Sequence, residues 1–340
     1  MTLAQLGWSE HFASQIGPDE KALIPMRISA VHRDRVEGLS PDTITSLTLP
    51  TGLSAGRVAV GDWVLADGAV LRRVLDRQSL LTRRAAGKAD EEQLIAANLG
   101  RLAIVTACAP EFNVARLERY LTLAHAGGVA PAILLTKADT TDPTPYVEAA
   151  TQVARSVPVI ALNAKSPQAT EQLFPWCGPG QTLGLVGSSG VGKSTLASAL
   201  TGIKQATGEI RTSDGRGRHT TSSRSLIRTL VGGWLIDTPG MRELRLGDAA
   251  EALADTFDDI QELALQCRFT DCGHDSEPGC AIRAALDAGQ IDPARLANWR
   301  KLQDEEAQRV ATPQETRARN RAFGKAVKSA LAAKRRKGGK

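Results

Sequence analysis

Aromatic residues are scarce in this chain of 340 residues, at 4%. Trp63 is the only clear candidate for a base-stacking platform in the N-terminal quarter, and within the run GDWVL it reads equally well as core. Cysteine is also sparse, with five in all. Cys108 and Cys177 stand alone, so no disulfide framework is expected and the lone thiols read as inert. No apolar run approaches the ~20 residues needed to span a bilayer. The N-terminal MTLAQLGWSEHF lacks the basic-then-apolar layout of a secretion signal, so a cytoplasmic protein without membrane contact is expected. Acid is nearly missing from the far end: from Arg309 onward, eleven Lys or Arg face Glu315 alone. Such a block attracts polyanions, nucleic acid first among them, or is simply a solvated tail. What is present in ordinary amounts, 42% hydrophobic and 23% charged residues, suits two or three soluble domains.

The pattern along the chain predicts α/β architecture with flanking modules. RISAV, ITSLTL, VAVGDWVLA and AVLRRVL alternate at the strand period between turn signals, which suggests a small closed barrel over residues 1–84. The five-stranded OB type fits the size, and an SH3-like barrel would look similar. Residues 85–98 read as a linker. RLAIVTAC, PAILLTKAD, VPVIALNAKS and TLGLVG then alternate with helical stretches over residues 99–248, predicting a mostly parallel sheet covered on both faces. Residues 249–340 read as helical around a Cys/His cluster, ending in the basic tail.

Gly187, Ser188, Ser189, Gly190, Val191, Gly192, Lys193 and Ser194 match G-x-x-x-x-G-K-[ST], with an apolar strand before and a helix after. Glycines let such a loop wrap a phosphate with its N–H groups inward, the following helix adds its positive end, and Thr195 is expected among the nucleotide-binding residues. Lys193 is expected on the β- and γ-phosphates, and the Ser194 hydroxyl on Mg²⁺.

The loop does not choose the base. Thr136-Lys137-Ala138-Asp139 closes an apolar strand and resembles the N/T-K-x-D guanine motif of GTPases, with Thr136 where Asn is commoner. There the carboxylate, here Asp139, accepts from guanine N1–H and its exocyclic amine. Adenine offers neither, and a site built around a missing donor rejects the analogue. Lys137 would lie along the base. ALNAKS resembles the second base-contact loop, with the Ala164 N–H toward guanine O6 and Lys165 beside it. Downstream, DTPG supplies a D-x-x-G pattern in which Asp237 would hold Mg²⁺ through water and Gly240 would sense the γ-phosphate. Between loop and DTPG, Thr221 is the favoured Mg²⁺ ligand and Thr220 the alternative.

Cys267, Cys272, His274 and Cys280 form C-x4-C-x-H-x5-C. Three thiolates and an imidazole suit tetrahedral Zn²⁺, and four protein ligands leave no open position, so a structural site is expected.

In GTPases the base motifs usually follow the phosphate loop and D-x-x-G; here they precede both. With GDWVL, QLIAANLGRLAIV, LERYL, TKAD, GSSGVGKST, GRHTT, DTPGMREL and the Cys/His cluster, the chain resembles the circularly permuted RsgA/YjeQ family of ribosome-small-subunit-dependent GTPases. Its departures are Thr136 and Gly100, where an acidic residue is usual. The resemblance implies GTP hydrolysis to GDP, late maturation of the small ribosomal subunit and contact with its rRNA, by a chain taken to be monomeric. It also implies a catalytic role for His219, within GRHTT, since Met241 after DTPG cannot orient water as a Gln would. Arg216 and Arg218 could serve either phosphate or RNA. Competing readings are a P-loop ATPase or kinase with a chance TKAD, an RNA-binding scaffold with a weak GTP-sensing site, and a GTP-gated assembly factor that acts without RNA.

Overall fold

The computed structural model describes residues 1–84, 92–109, 111–203, 225–237 and 250–310. It divides into two units, Met1–Thr256 and Phe257–Lys340.

The first unit opens with a short helix α1 (Glu10–Ala13) and five strands: β1 (Ile24–Val31), β2 (Arg35–Leu39), β3 (Ile44–Thr48), β4 (Trp63–Asp67) and β5 (Val70–Val74). β1 pairs with β2 and β4, β2 with β3, and β4 with β5, all antiparallel; β3 and β5 close the ring in parallel. A five-stranded barrel of this connectivity fits the OB type. Met26, Ile28, Val36, Leu47, Val64 and Leu71 fill it. VAVGDWVLA is not one strand, because Gly61 turns the chain at φ 92° and strand pairing begins at Trp63. A Cβ on Gly61 would fall 2.2 Å from the Ala97 carbonyl, so only glycine allows that approach. Trp63 is core: 1% exposed, it lies edge-on to Trp8 at 4.7 Å and packs near Phe12.

β6 (Leu80–Arg84) and β7 (Glu92–Ala97) form an antiparallel hairpin. Residues 92–97, expected within a linker, are therefore a strand, and Ile95, Ala96 and Ala97 are buried.

An α/β layer follows: β8 (Arg101–Ala107), α2 (Val114–Ala126), β9 (Ala130–Thr136), α3 (Thr144–Val153), β10 (Val159–Ala161), α4 (Pro167–Cys177), β11 (Thr182–Val186), α5 (Lys193–Thr201), β12 (Ser225–Arg228) and β13 (Trp234–Asp237). The strand order is β10-β9-β8-β11-β13-β12, parallel except for β12. β8, β9 and β11 are nearly continuous buried apolar runs, as strands covered on both faces must be. β12 also pairs with β1 at Ala30 and Ser225, which joins barrel and layer into one eleven-stranded sheet. Arg27 of β1 reinforces the joint. Its buried guanidinium donates to the Leu6 carbonyl at 2.6 Å and to Thr182 Oγ1 at 2.8 Å, at the start of β11.

α6 (Ala250–Thr256), expected to open the C-terminal domain, packs on α2 instead. Thr256 Oγ1 lies 3.1 Å from Thr122 Oγ1 and 3.2 Å from His125 Nδ1. The second unit contains α7 (Asp258–Ala264), α8 (Ala281–Asp287) and α9 (Pro293–Val310) around buried Phe257, Ile260, Ile282 and Trp299. Arg295 pairs with Asp259 at 2.8 Å and covers the Phe257 ring. No helix among the described residues is long and apolar enough to cross a membrane.

Candidate functional site

The parallel strands deliver their carboxyl ends to one edge, where open α/β sheets bind ligands. β11, between β8 and β13, runs into the glycine loop. Gly187 takes φ 141°, and a Cβ there would sit 2.0 Å from the Val105 carbonyl; Gly192 takes φ 91° immediately before α5. Both positions require glycine. Lys193 Nζ donates to the Gly187 carbonyl at 2.8 Å and to the Ser188 carbonyl, so the ammonium lies over its own loop. Ser194 is exposed and Thr195 half-buried in the first turn of α5, with the N–H groups of that turn at the loop's end.

The turn Thr136-Lys137-Ala138-Asp139 is fastened to this loop. Thr136, fully buried at the end of β9, places Oγ1 2.6 Å from the Val191 carbonyl and 3.2 Å from the Thr106 carbonyl. Lys137 follows in left-handed conformation, φ 58°, and its ammonium meets Glu111 at 2.8 Å. That hydrogen bond holds the Glu111 carboxyl below its usual range. Asp139 is exposed beyond it, in a turn closed by Thr140 Oγ1 on the Lys137 carbonyl. The Leu162 N–H donates to the Leu135 carbonyl, bringing in the following loop, where Ala164 is buried and the Lys165 N–H donates to Asn163 Oδ1. Asp237 ends β13 on the same edge.

The structure thus gathers Thr136, Lys137, Asp139, Ala164, Lys165, the Gly187–Ser194 loop and Asp237 on one rim. Arg216, Arg218, His219, Thr220, Thr221, Gly240 and the tail beyond residue 310 lie outside the described residues. Sequence reading missed Glu111 and Arg116, whose Nη1 donates to Ser188 Oγ. Only the fold brings Glu111 to Lys137 and Arg116 to the loop.

In the second unit, Cys267, Cys272, His274 and Cys280 have ligand atoms all within 4.8 Å of one another. Cys267 Sγ lies 3.9 Å from Cys280 Sγ, and His274 Nδ1 lies 3.5 and 3.6 Å from those sulfurs. Tetrahedral Zn²⁺ with bonds of about 2.3 Å to sulfur and about 2.0 Å to nitrogen puts neighbouring ligand atoms about 3.5–3.8 Å apart, so the donor set fits the ion. The His274 carbonyl accepts from Arg300 at 2.7 Å, and Trp299 packs beside the imidazole. Glu277 accepts from the N–H groups of Gly273, Asp275 and Ser276 and so ties the loop together.

Residues 74–247 match the RsgA GTPase family profile. The chain is 50% identical over 311 residues to Small ribosomal subunit biogenesis GTPase RsgA of Mesorhizobium japonicum, covering 89% of this chain and 90% of that one. It is 42% identical to RsgA 2 of Vibrio parahaemolyticus over 98% of this chain and 94% of that one. The fold is similar to YjeQ from Thermotoga maritima, with TM-score 0.63 over 84% of this chain and 99% of that one, at 24% identity. It is also similar to YloQ, a circularly permuted GTPase, with TM-score 0.60 over 87% and 99%, at 22% identity. With the glycine loop and the TKAD turn on one rim, a family profile matched over half its length and 50% identity to a relative across about nine-tenths of both chains, this chain belongs to the RsgA GTPase family.

Proposed function

We propose that this GTP hydrolase serves late maturation of the small ribosomal subunit, which binds it and accelerates its turnover. The observation that carries the GTP site is the Thr136 hydroxyl on the Val191 carbonyl, 2.6 Å away. It makes the turn that chooses the base and the loop that holds the phosphates one rigid piece. Asp139 accepts from guanine N1–H and its amine, Lys137 lies along the ring, and the Ala164 N–H donates to O6 with Lys165 beside it. The loop from Gly187 to Ser194, with Thr195, wraps the phosphates, and Lys193 leaves its own carbonyls for phosphate oxygens.

Ser194 and Thr221 (alternatively Thr220) would hold Mg²⁺ directly and Asp237 through water, and the ion would supply neutralisation of phosphate charge. The exposed Ser194 hydroxyl at the start of α5 suits that place. Gly240 follows the terminal phosphate. His219 orients the attacking water, accepting its proton or holding it by a hydrogen bond. Zn²⁺ at Cys267, Cys272, His274 and Cys280 fixes a loop and takes no part in hydrolysis.

Barrel, zinc module and basic tail grip rRNA. The relatives named for small-subunit biogenesis support the partner, and the basic tail supports the RNA. The barrel offers no surface Trp at position 63, so phosphate and shape contacts carry that grip. Co-sedimentation with purified small subunits tests the reading. The protein should pellet with subunits in the presence of a non-hydrolysable GTP analogue and be released with GDP; equal pelleting with large subunits would contradict it.

A further inference from the structure

The first turn of α2 brings a second cation to the phosphate loop. Asn113 caps the helix, its Oδ1 accepting from the Arg116 N–H at 2.9 Å, which sets Arg116 on the face toward the loop. Arg116 Nη1 donates to Ser188 Oγ, while Lys193 Nζ donates to the carbonyl of the same Ser188. Two cationic heads therefore converge on one loop residue. Among the described residues no carboxylate pairs with Arg116, which is exposed and rests on a neutral hydroxyl. Bringing two like charges together costs energy unless an anion lies between them, and the loop is shaped to hold one. A guanidinium fork is suited to the oxygens of a phosphoryl group.

We propose that Arg116 is a catalytic residue that leaves Ser188 for the terminal phosphate of bound GTP and stabilises the charge that builds there during transfer. It enters from the same chain, ahead of the loop in sequence, a placement the permuted order of motifs creates. Lys193 then serves the β–γ side and Arg116 the outer oxygens, which are absent from GDP. This rests on the reading of the rim as a GTP site.

The test compares full-length parent, Arg116→Ala and Arg116→Lys. Affinity for GDP and for a non-hydrolysable GTP analogue is measured together with single-turnover hydrolysis and trapping of the GDP–aluminium fluoride complex. Arg116→Ala should bind GDP within about twofold of the parent, yet lose at least about tenfold in hydrolysis and in aluminium fluoride trapping, in keeping with one charge-assisted phosphate contact. Arg116→Lys should recover part of the loss, because it keeps the charge but not the fork. If Arg116→Ala hydrolyses and traps like the parent, the proposal fails while the GTP site stands. If it loses GDP and analogue affinity equally with no further loss in hydrolysis, Arg116 only braces the loop, and the proposal fails again. A parent that binds no guanine nucleotide would sink the underlying site reading instead.

Discussion

Thr136 shows what a single residue contributes. Its motif differs from the commoner form by having a hydroxyl where an amide usually stands, and the fold uses that hydroxyl between two carbonyls, those of Val191 and Thr106. With one proton it serves one carbonyl at a time. Replacing it by isosteric Val leaves both without this donor in a fully buried site, at a cost of about 1–3 kcal/mol. Thermal melts of Thr136→Val should show that loss, and guanine nucleotide titration should show weakened binding, since the loop loses its brace. Unchanged affinity would mean that the two loops are independent. Such bracing was not legible in the sequence, because Thr136 and Val191 meet only through β8, which pairs with β9 on one side and β11 on the other. The loop glycines were legible, since the two glycines of the G-x-x-x-x-G-K-S spacing, Gly187 and Gly192, take positive φ angles of 141° and 91°. Arg116 and Glu111 had no sequence signal, each being one charged residue among many near a helix start.

Among elements, strands covered on both faces were the easiest to foresee. β8, β9 and β11 read as unbroken apolar runs, and α2 as an amphipathic stretch ending in two glycines. β7 was missed because the polar ADEEQ before and within it resembles a linker, although Ile95, Ala96 and Ala97 turn inward. α4 forms in spite of two prolines, because Pro167 starts the helix, where no N–H is needed, and Pro175 falls in its last turn. The Cys/His loop was fully legible by ligand chemistry, and its geometry agrees with a tetrahedral ion. Removing metal with a strong chelator should raise protease cleavage within residues 267–280 and leave the first unit's melting unchanged; zinc well below one equivalent in the untreated protein would contradict the site. Acid should also loosen this loop. Its own N–H and those of Gly273 and Ser276 pull the Glu277 carboxyl down to about 2. Its stabilisation is therefore present above the ordinary glutamate range and fades as pH falls toward about 2. Thiolate ligands add protonation of their own. Hydrogen exchange at Gly273, Asp275 and Ser276 across pH should follow that fall, and flat protection would oppose it.

At the scale of the molecule, permutation changes what can be coupled. The strand that leaves the Thr-containing segment, β12, pairs with barrel strand β1, and Arg27 ties that barrel to the strand feeding the phosphate loop. The barrel is therefore joined to the α/β layer at two strands, β12 and β11. Composition alone could not show this, since it follows from one register, Ala30 to Ser225, and from the Arg27 hydrogen bond. His219→Ala should keep GTP affinity and lose most subunit-stimulated turnover, whereas full stimulation would remove His219 from the mechanism. The most direct test of a subunit-activated GTPase is GTP turnover by the full chain, with and without purified small subunits, at about 50 and about 200 mM salt. Subunits should stimulate turnover strongly at the lower salt and much less at the higher. Turnover that subunits leave unchanged at either salt would contradict such activation.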